Sequence, residues 1–290
     1  MMQEICNLCP RGCGIDRSEK RGFCQTAERI RIARADLHFY EEPVISGTRG
    51  SGAIFFCGCS LRCCFCQNFS VSRNTVGSEI SEKRLSELFR ELEDKGAHNI
   101  NLVNPTHYIP QILNALERYR PKLPIVYNSH GYERAESIER LRGAVDIYLP
   151  DLKYHDSFLS SRYSQAPDYF EYASEAILEM AAQVRKRFDD DGMLQSGLIV
   201  RHLVLPMAVY DSLFLLDWIK ANLPADSMVS LMAQYTPFGE AAKFPELNRK
   251  ITAREYRRVS SHMLALGLDG YLQERDSAKD AYIPIWDFQE

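Results

Sequence analysis

Three cysteines, Cys59, Cys63 and Cys66, form a Cys-x3-Cys-x2-Cys run directly after the apolar segment Gly52 to Phe56. Three thiolates on one short loop suit a 4Fe-4S cluster. Such a cluster usually takes four Cys ligands, so a loop that offers three leaves one iron with an open position able to bind substrate. A structural zinc site closes with four ligands, and the bacterial ferredoxin run has another spacing and a Pro after its fourth Cys. Neither pattern matches. Cys57 and Cys64 break the three-ligand spacing and are read as small packing residues, a common use of free Cys.

A second set, Cys6, Cys9, Cys13 and Cys24, precedes the first. Four thiolates fit either a closed tetrahedral zinc site or an auxiliary 4Fe-4S cluster. Turn formers and charges around them interrupt any apolar periodicity, so metal binding is expected to help fold this segment. A structural role is favoured over a redox one. All nine cysteines lie in the first 66 residues. No run of roughly 18 apolar residues is present, and the start lacks the basic and apolar parts of a signal peptide. The expected location is cytoplasmic, a reducing setting in which these thiols are metal ligands or reactive groups and not disulfides.

The 290 residues are 45% hydrophobic and 26% charged, with a net charge of −4. That composition belongs to an ordinary globular chain and excludes disorder and collagen-like repeats. A net acidic chain is also a poor generic polyanion binder, although a local Arg patch could still touch RNA.

The elements that must position these residues follow from hydrophobic spacing. Residues 1–48 read as a Cys-rich extension without strands or helices of their own. From residue 49 to 275, short β-rich runs alternate with amphipathic segments, the pattern of βα units and a parallel sheet. Strands are expected near 52–57, 98–103, 124–128, 144–149, 197–204 and 228–232, with a weaker seventh near 270–273. Helices are expected near 81–95, 108–120, 133–141, 168–188, 211–222 and 252–266. Leu85, Leu88, Phe89 and Leu92 recur at helical spacing, as do Ile109, Ile112, Leu113 and Leu116. Ser81 is read as an N-cap, and Thr252 with Glu255 as a capping box. Residues 276–290 are left as a tail. Periodicity alone fits either an open doubly wound sheet or a partial barrel; both place function at the carboxyl ends of the strands.

At this point the sequence resembles the radical S-adenosylmethionine (SAM) superfamily, in the branch related to pyruvate formate-lyase activating enzymes. The resemblance rests on the triad and on motifs along nearly the whole chain: Cys6–Gly14, His38–Gly47, Asn101–Tyr108, Tyr127–Glu133, Tyr148–Tyr154, Arg201–Pro206 and Leu231–Pro237. It implies a partial (β/α)6 barrel of the TIM type with the cluster at its open end. It also implies that SAM chelates the open iron and is reductively cleaved to a 5'-deoxyadenosyl radical. The expected electron donor is a flavodoxin or ferredoxin, and the expected substrate is macromolecular, as for a glycyl radical activase.

The resemblance also points to residues at strand ends. Asn104 to Thr106 occupies the place where the family has Gly-Gly-Glu-Pro contacting the methionyl amine, and this chain departs from that pattern. Asn128 and Ser129 suit ribose hydroxyls or a simple turn. Asp151 and Lys153 correspond to a motif at the SAM and substrate face and are taken as catalytic, against the alternative of a surface ion pair. Arg201 and His202 are neighbours on one strand, so only one can point inward. Arg201 is chosen, as a fork for the SAM carboxylate, and His202 is equally well a core histidine. Gln234 and Tyr235 are candidate substrate contacts. Alternatives kept open are modification of RNA or of a small molecule, a zinc-binding interaction module, and an electron-transfer protein. The last is disfavoured because the triad leaves an iron open.

Overall fold

The computed structural model describes residues 5–273; the tail expected at 276–290 lies outside them. Ten strands are present among the described residues: β1 (Ile30–His38), β2 (Ser51–Phe56), β3 (Ser78–Ile80), β4 (Ile100–Val103), β5 (Ile125–Ser129), β6 (Ile147–Pro150), β7 (Arg187–Phe188), β8 (Leu194–Leu203), β9 (Met228–Met232) and β10 (Gly270–Leu272). The helices are α1 (Pro43–Ser46), α2 (Phe69–Ser72), α3 (Glu82–Asp94), α4 (Ile109–Arg118), α5 (Ala135–Glu139), α6 (Ser157–Ser164), α7 (Tyr169–Gln183), α8 (Val209–Asn222) and α9 (Ala253–Ala265). All seven expected strands and all six expected helices are present.

Seven strands, β2, β4, β5, β6, β8, β9 and β10, pair in parallel and stand side by side in chain order. A doubly wound sheet reverses its order at a switch point. This sheet never reverses, so each crossover carries the chain the same way round, as in a barrel wall. The fold is a partial (β/α)6 barrel with β10 as a further strand. Among the described residues the seam stays open: β2 pairs on its outer side with antiparallel β1, and β1 with β3, while β10 pairs only with β9.

The helices cover the outer face of the sheet. Leu85, Leu88, Phe89 and Leu92 of α3 are buried, and so are Ile109, Ile112, Ala115 and Leu116 of α4. Ser81 caps α3 by accepting from the Arg84 N–H, and Thr252 and Glu255 form the full capping box of α9. The inner face closes at the bottom around a separate apolar group. Ile45 of α1 packs there with Val126, Ile147, Leu149, Leu194, Ile199 and Met228. α1 is therefore a plug at the barrel floor.

β1 corrects the expectation that residues 1–48 hold no strand. Its sequence, Ile-Arg-Ile-Ala-Arg-Ala-Asp-Leu-His, has no clean apolar face, and most of it is half-buried. Six of its residues nevertheless pair with β2. Sheet hydrogen bonds at an edge supply the order that its side chains do not. Sheet order thus reaches back into residues 30–38. α1 likewise corrects the expectation that residues 1–48 hold no helix, and α2, β3, β7 and α6 are further elements outside the expected set. Asp156 caps α6 with a side chain accepting from the Phe158 and Leu159 N–H groups.

Candidate active site

The strand register assembles the site. Successive partners place Asp151 beside Arg201, Arg201 beside Ser230, and Ser230 beside Tyr271, one row across β6, β8, β9 and β10. Partnered residues of a sheet share a face, and all four line a cavity of about 490 Å³ inside the barrel. Cys59, Cys63 and Cys66 line the same cavity from the loop after β2, as do Asn104, Asn128, Ser129, Lys153 and Gln234.

A backbone constraint fixes the cluster loop. Gly58 has φ +87°, and a Cβ there would stand 2.3 Å from Thr26 Cγ2 and 2.5 Å from the Cys24 carbonyl oxygen. The loop is thus pressed against the amino-terminal segment with only hydrogen as a spacer. Asn104, itself at φ +58°, donates from Nδ2 to the Gly58 carbonyl, and the Cys59 N–H donates to the Cys24 carbonyl at 3.3 Å. The three thiols converge: Cys59 lies within electrostatic reach of Cys63 and Cys66, and Cys66 of Cys63. Main-chain N–H groups of Leu61 and Asn68 face the sulfurs of Cys59 and Cys66. Three thiolates on this loop suit a 4Fe-4S cluster with one iron left open. Cys57 points elsewhere, its thiol donating to the Val76 carbonyl at 3.2 Å, and Cys64 belongs to the hydrophobic core.

The cavity floor is a buried charge network centred on Arg201. Its Nε donates to Asp151 at 3.0 Å, Nη1 to Glu41 at 3.2 Å and Nη2 to the Asn128 carbonyl oxygen at 2.6 Å. Lys153 Nζ donates to the other Asp151 oxygen at 2.5 Å. Burial alone would push the Asp151 carboxyl up, but the Lys153 ammonium and the Arg201 guanidinium outweigh it and hold it below its ordinary value. Burial wins at Glu41, which is raised despite Arg201 and the amides of Asn101 and Asn128. The Asp151–Lys153 pair is thus buried and charged, unlike a solvated surface pair, and Lys153 lies within reach of the Cys63 and Cys66 sulfurs.

The other expected residues separate. Ser129 accepts from the Gly131 N–H at 3.2 Å and shapes the turn after β5. Thr106 does not line the cavity: it is fully buried, and its hydroxyl donates to Glu133 at 2.6 Å. Its partner Glu133 is itself buried, and burial pushes that carboxyl up to about 8. Arg201 faces inward and His202 outward. His202 is a satisfied core histidine, bonded to the Leu152 carbonyl at 2.7 Å and Ser212 Oγ at 2.9 Å. Tyr235 presents its ring to the cavity while its hydroxyl donates to the Leu247 carbonyl. Glu41 was missed although its motif was noticed; the available signal was an acidic pair set among Phe39, Tyr40, Val44 and Ile45, where a charge needs a buried partner.

The inward thiol triad and the charged cavity beside it form one site at the carboxyl ends of a single-direction barrel. A family model described as a 4Fe-4S single cluster domain matches residues 46–169. The chain belongs to the same family as uncharacterized protein MJ0674 of Methanocaldococcus jannaschii, to which it is 30% identical over 266 residues, covering 88% of this chain and 72% of that protein. Among solved structures it is similar to methylornithine synthase PylB at 14% identity, covering 71% of this chain and 59% of PylB with a TM-score of 0.48. It is also similar to Streptococcus suis SuiB bound to S-adenosylmethionine, at 14% identity over 73% of this chain and 44% of SuiB, with a TM-score of 0.47. The chain thus spans about three fifths of PylB and less than half of SuiB. Among the described residues no helix is long and apolar enough to cross a membrane.

Proposed function

We propose that this chain applies radical SAM chemistry to a macromolecular substrate, one segment of which enters the barrel through its open seam. When bound, the reduced cluster and SAM supply a carbon radical that abstracts a hydrogen atom, with the electron coming from a flavodoxin or ferredoxin. Cys59, Cys63 and Cys66 hold the cluster. Asn104 fixes the cluster loop from below, through the Gly58 carbonyl. Asn128, Ser129 and Arg201 stand at the cavity wall where SAM binds. Arg201 keeps two of its five N–H groups outside the contacts to Asp151, Glu41 and Asn128, so it can still meet a carboxylate. Asp151 and Lys153 form a fixed ion pair beside the triad; Lys153 places a cation where anionic groups gather.

The observation that carries the macromolecular reading is the seam. Among the described residues, Tyr40, just after β1, and Leu272, in β10, both line the cavity and both are exposed, at 61% and 39%. A chain segment can reach the interior there without dismantling the sheet. The test adds ultrafiltered fractions of native lysate to reduced enzyme and SAM, and measures 5'-deoxyadenosine. Stimulation by the retained fraction, abolished by protease or by nuclease, supports the reading and names the polymer. Stimulation by the filtrate alone overturns it in favour of a small molecule.

A further inference from the structure

Cys6, Cys9, Cys13 and Cys24 play no part in the chemistry above, yet they come together against the cluster loop. Cys6 lies within electrostatic reach of Cys13 and Cys24, and Cys9 within reach of Cys6 and Cys24. A Cβ built on Gly22 would meet Cys13 Sγ at 3.4 Å and Cys24 Sγ at 3.5 Å, so those two sulfurs face the same spot. The main chain is arranged for thiolates here as it is at the triad. N–H groups of Leu8 and Arg11 face Cys6 and Cys9, and the Phe23 N–H donates to Cys13 Sγ at 3.4 Å.

A separate observation points to an anionic ligand. Arg17 is more than nine-tenths buried beside Cys6, and its Nε has no hydrogen-bond partner; Arg11, on the same segment, has a buried Nη2 with none. Buried guanidinium donors left unmatched are costly unless negative charge is supplied nearby. Four thiolates suit either a zinc ion or a 4Fe-4S cluster. Position favours the cluster: the set lies directly against the triad loop, through the Cys24 carbonyl and the Cys59 N–H, where a second redox centre can exchange electrons with the first.

We propose that Cys6, Cys9, Cys13 and Cys24 hold a second 4Fe-4S cluster, docked against the first. The two sites share a boundary: the Cys24 carbonyl accepts from the Cys59 N–H at 3.3 Å, and Arg62 lies within electrostatic reach of both Cys24 and Cys59. A negative charge at one site therefore raises the cost of adding an electron at the other.

The test uses the full chain, anaerobically reconstituted with iron and sulfide. Wild-type protein should carry about eight irons, and the triple variant C59A/C63A/C66A about four, with a paramagnetic signal after dithionite reduction. C9S/C24S should also fall to about four irons, and its remaining cluster should reduce at a higher potential than in wild-type protein. Zinc in place of iron in the triple variant, or neither metal, overturns the proposal, as does an unchanged iron content in C9S/C24S. Circular dichroism on each variant confirms that the barrel has folded. The iron count does not depend on SAM cleavage, so failure here leaves the barrel reading standing, and the reverse holds.

Discussion

Replacing Arg201 by Met would remove the one cation shared by two buried carboxylates while keeping most of the side-chain volume. Asp151 would retain Lys153 at 2.5 Å, but Glu41 would be left with only the Asn101 and Asn128 amides at 3.1 and 3.2 Å. Removing one partner of a buried pair costs about 3–5 kcal/mol. With an unfolding entropy of about 2.1 cal/mol/K per residue, a chain of this length loses roughly 5–8 °C of melting temperature. The loss should depend on pH with a definite sign. Burial already raises Glu41, and without Arg201 its folded value rises further. A carboxyl raised in the folded state contributes stability below its unfolded value and loses it as pH rises through the folded value. Thermal melts of R201M should therefore fall further below wild type at pH 8 than at pH 5. E41Q placed in the R201M background should recover part of the loss by removing the stranded charge. A melting temperature within about 1 °C of wild type at both pH values, or a double variant less stable than R201M, would refute this reasoning.

Three other outcomes follow from particular contacts. Glu133, raised to about 8 in the folded state against about 4.3 unfolded, should cost stability as pH climbs between those values, and E133Q should flatten the slope of urea midpoints from pH 5 to 8; an E133Q slope equal to wild type sinks the assignment. Gly58→Ala should add about 1–2 kcal/mol of backbone strain and drive a methyl into Thr26 and the Cys24 carbonyl, so segment 5–29 becomes protease-sensitive and iron is lost together; an unchanged digest with full iron would exclude it. His202→Ala should lower stability by about 1–3 kcal/mol by leaving the Leu152 carbonyl without its His202 partner and removing one of two contacts of the Ser212 hydroxyl, without changing the rate of SAM cleavage per cluster. A fall in that rate with an unchanged melting temperature would move His202 into the site.

The parallel strands were legible because their inward and outward faces are both apolar along much of their length, so each appears as a continuous run. Their winding was not. The choice between a barrel and a doubly wound sheet lies in spatial order, which periodicity does not carry. β1 escaped because four of its nine residues are Arg, Asp or His and pairing with β2, not burial, orders it. The expected helix at 168–188 stops at Gln183, where Val184 turns extended. At the site, spacing, strand context and a reducing setting together marked the triad; strand alternation required only that one of Arg201 and His202 face inward, and Arg201 was chosen as a fork for a carboxylate. The placement of Thr106 outside the cavity was not legible because its hydroxyl's partner, Glu133, is 27 residues away. The acidic pair at Glu41 signalled a buried charge but not its partners, because Asn101, Asn128 and Arg201 come from three different strands.

The central claim, that Cys59, Cys63 and Cys66 alone hold the cluster at which SAM is cleaved, is tested most directly by 5'-deoxyadenosine formation from dithionite-reduced protein and SAM under anaerobic conditions. Wild type, C57A and C64A should all form it together with methionine, and C59A, C63A and C66A should each stay at background. Undiminished product from any one of the three triad variants, or none from wild type carrying its full complement of iron and sulfide, would contradict the account.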